Sequence, residues 1–485
     1  MNGWAMVLVA ALATVNFTVG LAEPRGAIWD ESYYLTSTER YSEGVAQFAS
    51  HPPLGLMLIA AGDAVLRPNR NIDTRALGRD KQADGKTIPT GFSFAGVRLA
   101  SGVFAVLGAV AFFALMYAVT GSTFTALAFS NFFIFENAFV TQFRAAHLDA
   151  FQVAFTVVAL LCFVICVRRG QRRSPLWEAG LGVSCGLAMM VKLNAAVLIL
   201  LCGMLIARRV AIGWAKAPPA QLLWVAGRDA AVMAGGCLLA MATVFAIHVR
   251  ISARDIDPTS AAGRKDKPFV SEEYREYLQG TRPYSIGILW SAAQDYRQFM
   301  AADFSGTPLV DHNASNPLEW PLEHGTINYR WDSDGVRTAY VQLVGNRVSW
   351  ILAFLAPFAA LGLLILQWRR PREASDPARR ALMAMLLVEY AAFMVLHCYL
   401  GAHRVMYLYH YFIGLLIAFT LLALVFKEVM DRWPPLRRWE TPALGGLTAL
   451  LLVSFVFYSP LSFHRPMTYR QCELRNVFQH VVDCR

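Results

Sequence analysis

The chain has 485 residues, of which 56% are hydrophobic and only 16% charged, with a mean hydropathy of +0.40. A soluble fold carries roughly 25% charge, so a cytosolic enzyme, a disulfide-rich secreted scaffold and a disordered chain are excluded. Lys and Arg outnumber Asp and Glu by 44 to 34, a net of +10, and the position of that excess decides what it means.

The apolar residues fall in blocks of about 17–25, the length of helix that crosses roughly 30 Å of hydrocarbon. Eleven spans are predicted, near 4–21, 93–119, 122–140, 148–167, 176–191, 194–207, 229–248, 343–367, 381–400, 407–426 and 442–459. The first lacks a Lys/Arg-rich start, which favours a retained helix over a cleaved leader. Between spans lie four basic clusters: Arg168, Arg169, Arg172 and Arg173; Arg208, Arg209, Lys216 and Arg228; Arg369, Arg370, Arg372, Arg379 and Arg380; Lys427, Arg432, Arg437 and Arg438. Positive charge held between spans marks cytoplasmic loops. The excess is therefore topological, and no soluble domain is left to carry a nucleic-acid surface.

With those four loops inside, two long segments, 22–92 and 249–342, fall together outside. The expected organisation is an amino-terminal membrane module over 1–248 that carries the 22–92 loop, an extracytoplasmic loop over 249–342, four helices over 343–459, and an outward tail over 460–485. In that tail Cys472 and Cys484 stand twelve apart in an oxidising compartment, where a disulfide competes evenly with free thiols. Six further cysteines lie in spans as packing residues. No internal repeat is evident.

Polar residues gather on the outer side. Asp30 and Glu31 follow the first span. His51 opens His-Pro-Pro-Leu-Gly at 51–55. Glu136 and Asn137 end the third span, Arg144, His147 and Asp149 fill the next outer turn, Lys192 and Asn194 a later one, and His403 and Arg404 the last. Ionisable groups at membrane depth are costly and usually face protein or water. Each has a bland reading: a solvated acidic pair, snorkelling bases, a rigid Pro-Pro turn, interfacial Tyr407, Tyr409 and Tyr411. Their convergence on one surface is less ordinary. Arg recognises phosphate by a planar fork and Lys as a point charge, and a carboxylate is a natural base for a hydroxyl. Residue types support glycosyl or phosphoryl transfer at a membrane surface without choosing between them. A transporter is disfavoured, because transporters place charge near mid-membrane in repeated halves.

The order of these motifs resembles the protein O-mannosyltransferase family of C-type membrane glycosyltransferases. Pro24–Tyr34 (PRGAIWDESYY) resembles its first outer loop, HPPLG at 51–55 its next signature, and Arg98 with Ser101 the start of its second span. Phe135-Glu136-Asn137 with Arg144–Asp149 (RAAHLD), Lys192, the 312–322 block (HNASNPLEWPL), Gly345-Asn346 and Arg404–Tyr411 (RVMYLYHY) complete the series. Departures are Leu56, Phe143, His147 and Leu193, where the family patterns have Lys, Ser, Leu and Trp. The long loop is too short for a β-trefoil (MIR) domain, as in a compact bacterial-type member.

The resemblance implies an all-α polytopic fold of about eleven transmembrane helices, set in a cell (inner) membrane. It implies inverting transfer of a sugar, mannose, from a polyprenyl-phosphate donor to a Ser/Thr hydroxyl of a protein, with a lipid or polysaccharide acceptor as the alternative. Asp30 would be the general base and Glu31 its partner. Arg404, Lys192, Arg144 and Arg98 would bind the donor phosphate. His51, Glu136, Asn137, Asp149, His312, His403 and His410 would order the site. No cofactor is required in this reading, although some relatives use a divalent metal.

Overall fold

The structure is a computed structural model that describes residues 2–485 apart from 171, 173, 307–309, 370–375 and 478; Arg173, Arg370 and Arg372 therefore lie outside the described residues. Eight described helices are long and apolar enough to cross a membrane: Ala95–Thr120, Asp149–Arg169, Leu193–Gly213, Pro219–Ile251, Arg347–Arg369, Pro377–Gly401, Leu408–Arg432 and Pro434–Ser462. The expected third span is broken into Thr123–Ile134 and Asn137–Phe143, which meet at a bend of 58°. The expected first and fifth spans are the 16-residue Gly3–Thr18 and 15-residue Pro175–Met189 helices. At 1.5 Å per residue, about 24 Å falls short of ~30 Å of hydrocarbon. Among the described residues eight helices, or nine with the bent pair taken as one span, are long and apolar enough to cross, and two shorter helices occupy the other two expected positions. Hydropathy counts apolar residues and is blind to a bend or an early stop, such as the turn at Gly20 with φ +74°.

Much of the helix bundle packs around one large buried apolar cluster that includes Phe112, Phe132, Phe139 and Phe419, with smaller separate clusters beneath the long segments and the tail. Helix Pro175–Met189 lies directly on Pro219–Ile251, because Gly182 and Gly186 leave room for the other backbone. A methyl group on Gly182 would overlap the Met233 carbonyl, and one on Gly186 the Cys237 carbonyl. Small residues four apart allow such close approach where lipid supplies no hydrophobic drive between helices.

The basic clusters do more than mark a side. Arg209 is buried against Glu178 at 2.7 Å and Asp229 at 2.6 Å. Arg379 joins Glu428 at 3.0 Å and Asp431 at 2.8 Å, and Lys427 also reaches Asp431. At this end of the bundle the bases tie helices to one another.

At the opposite end the two long segments meet. The first carries helices Glu31–Glu43 and Leu54–Leu66, the second the 20-residue helix Ile286–Ser305. Ala46 N–H donates to the Arg254 carbonyl at 3.0 Å, and Arg254 N–H to that of Gly44 at 2.8 Å. Buried Asp266 binds both Arg40 and Lys81, and the Tyr296 hydroxyl donates to the His51 carbonyl at 2.8 Å. The second segment ends in an antiparallel hairpin, Ile327–Ser333 with Thr338–Leu343, in register from Ile327↔Leu343 to Ser333↔Thr338 around an irregularity at Asn328/Arg330. Among the described residues this hairpin is the one sheet in an otherwise helical fold. The tail closes over it: Thr338 pairs with Met467, Cys472 and Cys484 are disulfide-bonded, and Arg485 N–H donates to the Tyr340 hydroxyl at 2.8 Å.

Candidate active site

The loop after Gly3–Thr18 delivers two adjacent carboxyls to opposite fates. Glu31 is fully enclosed and held by Arg98 at 2.7 and 2.8 Å. The backbone N–H groups of Ala146 (2.6 Å) and Ile28 (2.8 Å) complete its shell. Burial alone would raise its pKa, but the charge and hydrogen bonds of Arg98 outweigh that and lower it. The remaining Arg98 donors go to the carbonyls of Leu21, Pro24 and Gly26. Arg98 has no donor left for a phosphate, and Glu31 none of its oxygens for an acceptor. Together they clamp the loop.

Asp30, one residue earlier, is only partly covered. Burial pushes its carboxyl above the ordinary carboxylate range; His147 and Lys192 oppose that push, Asp149 adds to it, and Tyr409 offers its hydroxyl. Lys192 joins Asp149 at 2.7 Å and lies 4.9 Å from the Tyr409 ring. The other Asp149 oxygen accepts from Gln142 at 2.7 Å, and Gln142 in turn accepts from the Tyr329 hydroxyl at 2.6 Å. Gln152 holds the Lys192 carbonyl at 3.2 Å and Asn194 at 2.7 Å; Asn194 bonds His397 at 3.2 Å. An ammonium has three donors, and among the described residues Asp149 is the one carboxylate that this ammonium bonds.

Trp29 supports Asp30 from a left-handed backbone conformation, φ +48°. A bulky residue there is strained, and such strain concentrates at functional sites. Its indole stacks on Tyr329 at 5.3 Å and meets Tyr407 edge-on at 5.7 Å. His147 lies edge-on to the other rings, Tyr329 at 5.7 Å and Tyr34 at 6.4 Å.

Arg404 reaches the same region. Its charge and that of Lys192, after burial, keep the pKa of His51 well below the usual range, so the imidazole is neutral. The Arg404 guanidinium lies over Phe304 at 5.2 Å, and its buried Nε finds no partner among the described residues. It lines a cavity of about 380 Å³ with Ser315, Asn316, Val405 and Met406. His410 packs beside Tyr409 at 4.6 Å and accepts from the Tyr407 N–H at 3.1 Å.

The structure therefore gathers Asp30, Asp149, Lys192, His51, Arg404 and His410. It takes several expected residues elsewhere. Arg144 is spent on the carbonyls of Asn16 (2.9 Å) and Gly20 (3.3 Å) and lies over Phe463, so it caps the first helix instead of holding phosphate. Glu136 pins the bend of the broken span to the start of Arg347–Arg369, accepting from Asn346 N–H (2.8 Å), Ser349 and Trp350; Asn137 bonds the Phe455 carbonyl at 3.2 Å. His312 is exposed and bonded to its neighbour Asn313, and exposed His403, in the turn just past helix Pro377–Gly401, bonds the Tyr399 carbonyl of that helix's last turn at 2.8 Å. Sequence reasoning missed Gln142, Tyr329 and Tyr409 as site residues. Gln142 carried a signal, an amide in an apolar run; Tyr409 had been read as an interfacial belt residue, and Tyr329 carried none.

Both the sequence and the fold have known counterparts. Residues 7–247 match the family model described as dolichyl-phosphate-mannose-protein mannosyltransferase, and 294–481 that of the C-terminal four-span region of protein O-mannosyltransferase. Protein O-mannosyl-transferase 2 of Drosophila pseudoobscura pseudoobscura is 30% identical over 221 residues, 37% of this chain and 28% of that protein; the match spans under a third of that relative's length. The fold is similar to a chain of the S. cerevisiae protein O-mannosyltransferase Pmt1-Pmt2 complex bound to the sugar donor, with a TM-score of 0.83, 14% identity, and coverage of 99% of this chain and 92% of that one. It is also similar to the Archaeoglobus fulgidus oligosaccharyltransferase, with a TM-score of 0.51, 10% identity, and coverage of 99% and 57%.

Proposed function

The chain belongs to the protein O-mannosyltransferase family of multi-pass membrane proteins, and from that premise we propose that it moves mannose from a polyprenyl-phosphate donor to a Ser/Thr hydroxyl of a protein at the extracytoplasmic face. One observation carries the reading. Of two adjacent carboxyls, Glu31 is sealed against Arg98, which leaves Asp30 partly open near Lys192 on the loop that this pair clamps.

Asp30 accepts the proton of the acceptor hydroxyl as that oxygen attacks the anomeric carbon. The carbon–oxygen bond to phosphate breaks, its electron pair leaves with the lipid phosphate, and the anomeric configuration inverts. Negative charge grows on the departing phosphate, where Lys192 and Arg404 stabilise it most in the transition state. Gln142 and Asp149 fix Lys192, and the raised pKa of Asp30 strengthens it as a base. The carboxylates near the site already carry cationic or hydrogen-bonding partners, so transfer without a metal is part of the proposal; a chelator should leave turnover unchanged.

The test is transfer by the purified full-length chain from polyprenyl-phosphate mannose to Ser/Thr peptides, read by mass spectrometry, with the anomer assigned by NMR. The expected product is a hexosylated peptide of inverted configuration. Arg404→Ala should raise the donor KM at least about tenfold. Label appearing only in lipid or polysaccharide would replace the protein acceptor, and a retained anomer would remove the single-displacement step.

A further inference from the structure

Two buried polar atoms beside Asp30 belong to no interaction already described. His147 is 1% exposed, and its Nε2 lies 3.0 Å from the Ile28 carbonyl. A carbonyl can only accept, so Nε2 carries a hydrogen, and Nδ1 is the ring nitrogen left without a partner among the described residues. Neither that Nδ1 nor the Trp29 Nε1–H, a pure donor, finds a partner among the described residues, and both are buried. Leaving such atoms unpaired costs stability, and buried polar groups are normally satisfied.

The two side chains meet on one ring. Trp29 stacks on Tyr329, His147 meets the same ring edge-on, and the carbonyl that orients His147 belongs to the residue before Trp29. Both flank Asp30 in sequence or in its field. The cluster is aromatic and offers an indole N–H and an imidazole nitrogen. That suits a neutral polyhydroxylated ring, whose C–H faces pack on aromatic surfaces and whose hydroxyls both donate and accept. It does not suit a phosphate, which the cationic side of the site serves.

We propose that His147 Nδ1 and Trp29 Nε1 hydrogen-bond hydroxyls of the transferred sugar, and that this pair sets the donor-sugar selectivity of the chain. The inference rests on the reading of Asp30 as the base of a lipid-phosphate sugar transferase. His147 also stands where the family-like block at 144–149 has Leu. A pocket that bonds a hydroxyl rejects an analogue lacking it more strongly than an apolar pocket can, because its own polar atoms are then stranded.

The test uses the full-length chain in detergent with His147→Gln, which keeps a donor toward Ile28 while losing the ring Nδ1, and Trp29→Phe. Each should raise the KM for polyprenyl-phosphate mannose at least about fivefold, a lost buried hydrogen bond. Inhibition by sugar-free polyprenyl phosphate should stay unchanged, which also reports that the variants are folded. Their preference for mannose over polyprenyl-phosphate glucose should narrow. An unchanged donor KM, or a rise confined to the acceptor peptide, overturns the proposal; so does an equal loss of sugar-free lipid binding. Full activity of Asp30→Asn would instead remove the underlying reading, so the two failures are distinguishable.

Discussion

Asp30 and Glu31 show how far environment separates two neighbouring carboxyls of similar intrinsic acidity. Glu31 has a lowered pKa in the fold, so its ionised form contributes stability that is present above the unfolded carboxyl range and lost as pH falls through the folded value. Glu31→Gln strands buried Arg98 and should cost about 3–5 kcal/mol, read as a fall in thermal stability of the detergent-solubilised protein; a variant as stable as the parent would refute the clamp. Asp30 has the opposite sign. Its raised pKa means that folding favours the protonated form, a contribution complete below the unfolded pKa and lost as pH rises through the folded one. At pH 7.5, Asp30→Asn should therefore lose at least about 10²-fold in turnover with a melting temperature equal to or above that of the parent. The acid limb of kcat/KM should lie above the ordinary Asp range and vanish in this variant. Asp30 and Lys192 could be singled out from residue type and position alone. That Arg98 answers Glu31, and that Arg144 answers backbone carbonyls, could not, because their partners lie 67 and more than a hundred residues away.

Among the elements, the short and broken helices carry the information that hydropathy lacks. The bend between Thr123–Ile134 and Asn137–Phe143 is held by Glu136, which reaches across to Asn346, Ser349 and Trp350. Sequence placed Glu136 at the end of a span and could not show that the span ends by folding over. Helix Pro175–Met189 leads directly to Lys192, and its position depends on the glycines against Pro219–Ile251. Gly186→Leu should push these helices apart, with a loss of at least about 2 kcal/mol in stability, since overpacking costs 1–3 kcal/mol where neighbours can yield and the neighbour here is backbone. Because the displacement carries Lys192 away from Asp149, turnover should fall further than stability does. Thermal melts and steady-state kinetics on the same preparation decide this; a variant equal to the parent in both would remove the packing argument.

At the scale of the whole molecule, both long segments lie at one end of the bundle and the ion-paired basic clusters at the other. Positive charge is retained on the cytoplasmic side, so accessibility tags in the Asp30 loop and in 249–342 should both label from outside intact cells, whereas tags near Arg208 or Arg438 should require permeabilisation. Opposite labelling of the two loops would break the shared site. The amino-acid order by itself determined the membrane class, the gathering of polar chemistry on one side and the family-like series of motifs, because hydrophobic length and charge between spans are local properties that bilayer insertion reads directly. Only the tertiary structure decided which acids and bases meet. Whether a buried charge serves as a clamp, a cap or a reactive group depends on the partner that compensates it, and in this chain those partners arrive from distant helices, the β-hairpin and the second long segment.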